Sequence, residues 1–299
     1  MQTSLFQEFR QSGTPKIVNV ASVAQLSPFR YPGGKTWLVP YVLKWLGSFP
    51  ARPHLLIDPF LGGGSVPLSA LQACTVDRLV LREIDEDVAA VWTCIFGDAN
   101  GQLCQKILVF PITRKNVVRE LAAEPRSIAD RAFKTILRNR TYRGGILAQG
   151  ASLMNAGENG RGVASRWYAQ TLVRRIQRLG QLSGSIEFKC GDGFEVIKAH
   201  AENPKAVFFI DPPYTAGNGK RAGKRLYTHN QLDHKKLFAL MASCAGSFLM
   251  TYDDDREVEA LANRFGFHVE RIPMKNTHHE EKFELVIAKS TAGWPTISR

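Results

Sequence analysis

A chain of 299 residues with 44% apolar and 22% charged residues is long enough to bury a full core and ordinary in make-up for a globular protein. Its 39 Lys plus Arg against 27 Asp plus Glu give a net charge of +12 and a pI near 9.6, which points to a polyanionic partner. Five scattered cysteines argue against a disulfide framework and for a reducing cytoplasm; no segment reaches transmembrane length, residues 1–26 carry no secretory signal pattern, and internal repeats are absent.

In chain order, the first motif is Phe29-Arg30-Tyr31-Pro32-Gly33-Gly34-Lys35-Thr36, ahead of a helix predicted from Trp37 to Leu46. It resembles the tail of a phosphate-binding loop, but the glycine such a loop needs five positions before Gly34 is Phe29, so triphosphate hydrolysis is discounted. A glycine pair before a lone lysine instead suits a cation beside a carboxylate ligand, or simply a helix-capping turn. Next, the short strand His54 to Asp58 runs through Pro59-Phe60-Leu61 into Gly62-Gly63-Gly64-Ser65 and a helix from Val66 to Cys74. Glycines at a strand-to-helix turn let the backbone approach a ligand, yet Pro67 stands where a dinucleotide fingerprint has its third glycine. The strand Arg78 to Arg82 then ends at Glu83, about twenty residues past the glycines, where an acid can bond ribose hydroxyls. Asp85 competes for that role. Together these features suggest an adenosine-type cofactor with no pyrophosphate to cradle.

The segment 111–184 carries fourteen basic side chains against four acidic ones, a +10 excess that accounts for most of the net charge. Helices are predicted over Asn116 to Ala123, Ile128 to Asn139 and Trp167 to Leu179, with a glycine-rich loop from Gly144 to Gly162. Within it, Arg138-Asn139-Arg140-Thr141-Tyr142-Arg143 mixes guanidinium, amide and aromatic groups suited to phosphates and base edges. Beyond it come a strand Ile186 to Cys190 and then Gly191-Asp192-Gly193-Phe194. The apolar run Ala206 to Ile210 next stops at Asp211-Pro212-Pro213-Tyr214. Two prolines end a strand abruptly, because proline gives no ladder donor and restrains the residue before it. The tetrapeptide therefore offers a carboxylate, two carbonyls and a ring at one sheet edge, a set that can hold a planar base bearing an amine. A basic cluster, Lys220, Arg221, Lys224 and Arg225, follows and reads as a loop able to close on a polyanion's backbone or as an exposed polar loop. A helix from Leu232 to Cys244, a strand from Ser247 to Tyr252, a helix from Asp255 to Phe265 and strands His268 to Met274 and Phe283 to Lys289 complete the pattern. Alternating strands and helices imply a mostly parallel α/β sheet, closed by an antiparallel pair. His278-His279 reads as surface loop, and no metal site is expected.

The three ordered motifs, Phe29 to Lys35, Asp58 to Ser65 and Asp211 to Tyr214, resemble the Dam-type (D12 class, alpha group) DNA adenine-N6 methyltransferases, over nearly the whole chain from about Ser27 to Lys289. The resemblance implies a class I S-adenosylmethionine-dependent methyltransferase fold, a Rossmann-like doubly wound sheet. It further implies a catalytic domain over 1–110 and 185–299 and a mainly helical target-recognition insertion over 111–184. Tyr31 and Lys35 would line the methionine end of the cofactor, with Lys35 near its carboxylate; Phe60, Gly62 and Gly64 would form the turn beneath it, and Asp58 would close the first strand. Glu83 matches the ribose acid, and Asp192 the residue that meets the cofactor's adenine. Gly193 interrupts the family's usual aromatic after that aspartate, leaving Phe194 to pack the adenine. DNA contacts are expected from Arg138, Arg140, Tyr142, Arg143, Lys220, Arg221, Lys224 and Arg225, with double-stranded DNA the partner of a monomer or weak dimer.

Adenine N6 is a weak nucleophile because its lone pair is delocalised into the ring. Hydrogen bonds from the amine to Asp211 and to the Pro212 carbonyl favour a more tetrahedral nitrogen and strengthen as positive charge develops. The base must leave the duplex to reach them, and Tyr214 would recover part of that cost by stacking, worth about 1 to 3 kcal/mol. An N-methyltransferase acting on RNA or on cytosine N4 is the second reading, against which aspartate rather than serine in the tetrapeptide counts. The third is an inactive DNA-binding regulator, against which the presence of Asp211, Lys35 and Gly62 counts.

Overall fold

The computed structural model of the chain describes residues 18, 20–31, 33–148, 150–213, 232–275 and 281–290. Pro32, Tyr214, Lys220, Arg221, Lys224, Arg225 and His278-His279 lie outside the described residues. Seven strands, β1 (Leu55–Asp58), β2 (Arg78–Glu83), β3 (Ile186–Cys190), β4 (Ala206–Ile210), β5 (Ser247–Asp253), β6 (His268–Lys275) and β7 (Glu281–Ala288), form one sheet in the order β3-β2-β1-β4-β5-β7-β6. The first five are mutually parallel, whereas β7 runs antiparallel to both β5 and β6. Strand order reverses between β1 and β4, so a crevice opens beyond their carboxyl ends. Asp58 and Asp211 are delivered there by two adjacent strands.

Successive side chains of each strand go to opposite faces and enter two separate cores. Val207 and Phe209 of β4 join Leu56, Leu79, Leu81 and Leu249 on one face, while Phe208 and Ile210 join Ile57, Val80, Phe248 and Met250 on the other. The first face is covered by α1 (Val39–Gly47), α2 (Ser65–Gln72) and α3 (Glu86–Phe96), the second by α8 (Gly193–His200), α9 (His234–Ser243) and α10 (Arg256–Arg264). Aspartates start several of these helices. Asp85 accepts from the amides of Asp87 and Val88, Asp192 from Phe194, Asp233 from Lys236 and Asp255 from Glu257, each satisfying a donor the helix cannot.

The stretch 84–110, unassigned from the sequence, is α3 and α4 (Asn100–Val109). Helices α5 (Arg114–Ala122), α6 (Ile128–Thr141) and α7 (Ala169–Gly180) follow, close to the sequence expectation. Phe133, Ile136 and Leu137 of α6 and Leu172, Val173, Ile176 and Leu179 of α7 belong to the same continuous core as α3 and α4. Arg131 of α6 also reaches Glu86 at 2.9 Å and Asp87 at 2.7 Å on α3. The 111–184 stretch is thus anchored broadly to the sheet's first face. Between α6 and α7, the glycine-rich stretch forms short helical turns at Arg143–Gly145, Glu158–Gly160 and Gly162–Ala164.

Candidate active site

The crevice at the strand ends is a cavity of about 300 Å³ whose lining includes Tyr31, Lys35, Asp58, Phe60, Gly62, Gly64, Glu83, Asp192, Phe194, Asp211, Pro212 and Pro213. Every described residue expected at the cofactor or the target base is therefore gathered around one space. The glycine turn owes its composition first to Tyr31. A Cβ on Gly62 or on Gly63 would stand 2.8 Å from that side chain, and Gly62 and Gly64 also adopt φ of +46° and +65°. The turn is pinned from behind by Trp92, whose Nε1–H donates to the Gly62 carbonyl at 3.0 Å.

Glu83, not Asp85, occupies the position at the end of β2. Its two oxygens accept the Gly62 amide at 2.8 Å and the Asp85 amide at 2.9 Å, while the Asp85 side chain caps α3. Burial outweighs those hydrogen bonds and pushes the Glu83 carboxyl up to about 7. Asp58 is buried too, accepting from the Phe60 amide at 3.0 Å, and burial again is the main reason its carboxyl lies well above the ordinary range, with Asp211 and Glu83 adding repulsion. The departure at Gly193 has a steric cause: a Cβ there would collide with the Pro59 carbonyl, so the aromatic comes one residue later. Phe194 meets Phe60 edge to face at 6.5 Å between centroids, and Lys236 of α9 lies 5.2 Å over its ring.

Asp211 is held at Oδ1 by the Thr251 hydroxyl at 2.7 Å and by Lys35 at 3.1 Å. Lys35 lines the cavity and also has partners within the protein. Its ammonium donates to the Gly33 carbonyl at 2.8 Å and pairs with Asp211 at 3.1 Å and with Glu284 at 3.6 Å. Thr251, Glu284 and the cavity-lining Leu232, Asp233 and Lys236 were not anticipated. A lone acid in the apolar run Phe283 to Ala288 was the available signal for Glu284.

The basic motif at the end of α6 divides. Arg140 is 6% exposed and donates to the Pro28 carbonyl, which corrects its expected place among DNA contacts. Burial, then repulsion from Arg175, Arg30 and Arg166, lowers its guanidinium to about 9. Asn139 is fully buried; it accepts the Arg30 amide at 2.9 Å and donates to the carbonyls of Arg30 and Gly145 at 3.1 and 2.7 Å. These two residues fasten α6 to the segment that carries Tyr31. Arg138, Tyr142 and Arg143 are left at the surface or half-buried, with the Arg138 guanidinium 5.3 Å from the Tyr142 ring centre.

Residues 31–275 match the D12 class N6 adenine-specific DNA methyltransferase family. The chain belongs to that class. It transfers a methyl group from S-adenosylmethionine to adenine N6 in DNA, and its sheet is the class I methyltransferase sheet. The cavity fits the cofactor: it is lined by the Asp211 carboxylate and by Glu83, which has more lone pairs than the amides it accepts and can take hydroxyl donors. The sequence matches no curated protein. Among solved structures it is similar to a Pyrococcus horikoshii protein described provisionally as an RNA methyltransferase (11% identity, 90% of this chain and 92% of that one, TM-score 0.39). A Pyrococcus furiosus methyltransferase (12%, 87% and 87%, 0.38) and the precorrin-6y C5,15-methyltransferase of Geobacter metallireducens (8%, 83% and 85%, 0.33) are similar at the same distant level. Among the described residues, no helix is long and apolar enough to cross a membrane, and no group of three His, Cys, Asp or Glu side chains is placed to hold a metal.

Proposed function

We propose that the D12-class enzyme acts on an adenine swung out of double-stranded DNA, with Asp211 and the Pro212 carbonyl accepting the two N6 hydrogens and Tyr214 stacking on the ring. The observation that carries this is Asp211 itself, fixed at the cavity rim by Thr251 and Lys35 directly after a fully buried strand. A carboxylate so held is preorganised to stabilise the positive charge that develops on N6, and it loses no orientation during the reaction. When bound, S-adenosylmethionine supplies a methyl group on a sulfonium that leaves with its own electron pair, so the protein's task is alignment. Glu83 would take the ribose hydroxyls, Asp192 and Phe194 the adenine edge and face, and Tyr31, Phe60, Gly62 and Gly64 the wall beside the methionine chain, while Asp58 closes the first strand and holds the Phe60 amide. Once N6 carries the methyl group it is strongly acidic, and Asp211 receives its proton without needing to be a strong base.

The basic 111–184 stretch supports a target-recognition role, with Arg138, Tyr142 and Arg143 facing DNA and Lys220, Arg221, Lys224 and Arg225 following the backbone. A monomer or weak dimer working in the cytoplasm fits this reading. Incubation with S-adenosylmethionine tritiated in its methyl group, duplex DNA and, separately, RNA tests it. Label is expected in N6-methyladenine of the duplex. Label in cytosine, or a preference for RNA, would overturn it.

A further inference from the structure

Glu284 sits on β7, opposite Asp253 of β5 and Ile272 of β6, on the sheet face whose core holds Ile272 and Val286. It is 7% exposed, and a carboxylate is costly to bury there without a partner. Its Oε2 has no hydrogen-bond partner among the described residues and stands 3.6 Å from the Lys35 ammonium, an ion pair rather than a hydrogen bond. The same ammonium is 3.1 Å from Asp211. One buried cation thus lies between two carboxylates, closer to the one that faces the target.

Where Lys35 spends its charge depends on both. An ionised Glu284 draws the ammonium toward itself, so Asp211 keeps more of its negative charge for the amine hydrogens. A neutral Glu284 leaves Lys35 committed to Asp211 and makes that oxygen a poorer acceptor. We propose that Glu284 is a positioning residue for methyl transfer, setting through Lys35 how strongly Asp211 accepts the hydrogens of the target amine. The proposal rests on Asp211 being the amine's acceptor. The charged groups facing Glu284 are Lys35 from the first motif, Asp211 after β4 and Asp253 on β5; burial, reinforced by the two acids and opposed by Lys35, carries its carboxyl up to about 7. Its switch between the two states therefore falls near neutrality.

The test is the pH profile of kcat for the full-length Glu284→Gln enzyme, with KM for duplex DNA, S-adenosylmethionine affinity and Tm measured alongside. Glutamine keeps the shape and mimics the neutral state. The variant is expected to match the wild type at about pH 6, to fall about tenfold below it at about pH 8, and to lose the limb between, with KM and cofactor affinity unchanged. Wild-type kcat with the limb intact would overturn the proposal. If Glu284→Gln melts below the assay temperature, Glu284→Asp decides: a retained limb supports the role, and its absence in a folded Asp variant refutes it. Asp211→Asn keeps the two questions apart. Full activity in that variant would remove the acceptor assignment itself, whereas an inactive Asp211→Asn beside an unaltered Glu284→Gln would remove Glu284 alone.

Discussion

Among its described contacts, Asp211 is tied at one oxygen by Thr251 and by Lys35, and each tie has a separable consequence. Asp211→Ala removes the acceptor and is expected to abolish transfer while largely sparing cofactor affinity; equal loss of both, measured by filter binding and product formation, would make the carboxylate structural. Thr251→Val removes the 2.7 Å hydrogen bond to Asp211 and keeps the side chain's bulk in a fully buried position. Hydrogen bonds to charged groups are worth about 1.5 to 3 kcal/mol, so kcat should fall about tenfold or more with little change in DNA KM. A rise in KM at constant kcat would mean that Thr251 shapes binding instead of aiming Asp211.

At the scale of elements, the end of α6 holds two kinds of polar residue four positions apart. Asn139 makes three hydrogen bonds to loop backbone, buried at Gly145 and part-buried at Arg30, and Asn139→Ala would strand those groups. A stability loss of about 2 to 3 kcal/mol is expected by urea denaturation, with weaker cofactor binding because Tyr31 loses its mooring. Arg143→Ala, at an exposed position, should leave the urea midpoint unchanged, weaken DNA binding and lower the salt slope by about one. The reverse assignment of effects would refute this division. Such differences explain what the sequence could and could not show. Strand ends, glycine turns and aspartate caps were legible because Pro, Gly and Asp act on the backbone locally. Helix α3 was not, since seven of its residues from Val88 to Ile95 are buried and the amphipathic signal is weak. Arg140 and Glu284 were misjudged or passed over because charge predicts exposure, and only the fold reveals a partner that reverses it. The departure at Gly193 became intelligible only once Pro59 stood against it.

For the whole molecule, buried acids gather around the site: Asp58 and Glu83 line the cavity, and Glu284 pairs with the cavity-lining Lys35. Glu83 and Glu284 are both raised from an ordinary 4.5 to about 7, mainly by burial. Between those values the unfolded chain has released protons that the folded chain still holds, so stability is greatest below about pH 4.5 as far as these groups are concerned and is lost as pH rises through 7. A bound sulfonium cation compensates that charge. Melting curves from about pH 5.5 to 8 should therefore show the cofactor-free protein losing Tm with rising pH more steeply than Glu83→Gln, and the shift caused by S-adenosylmethionine growing over the same range. A shift that shrinks with pH would contradict this electrostatic account.

The Asn139 clamp gives the end of α6 and the segment leading into Tyr31 a common mechanical support: the amide that orders Gly145 also orders Arg30, next to Tyr31. Two ligands that load one support are thermodynamically linked, and linkage is reciprocal. The factor by which duplex DNA tightens S-adenosylmethionine must equal the factor by which S-adenosylmethionine tightens DNA, and Asn139→Ala should bring both toward one in paired titrations. A coupling factor that Asn139→Ala leaves unchanged would break that link.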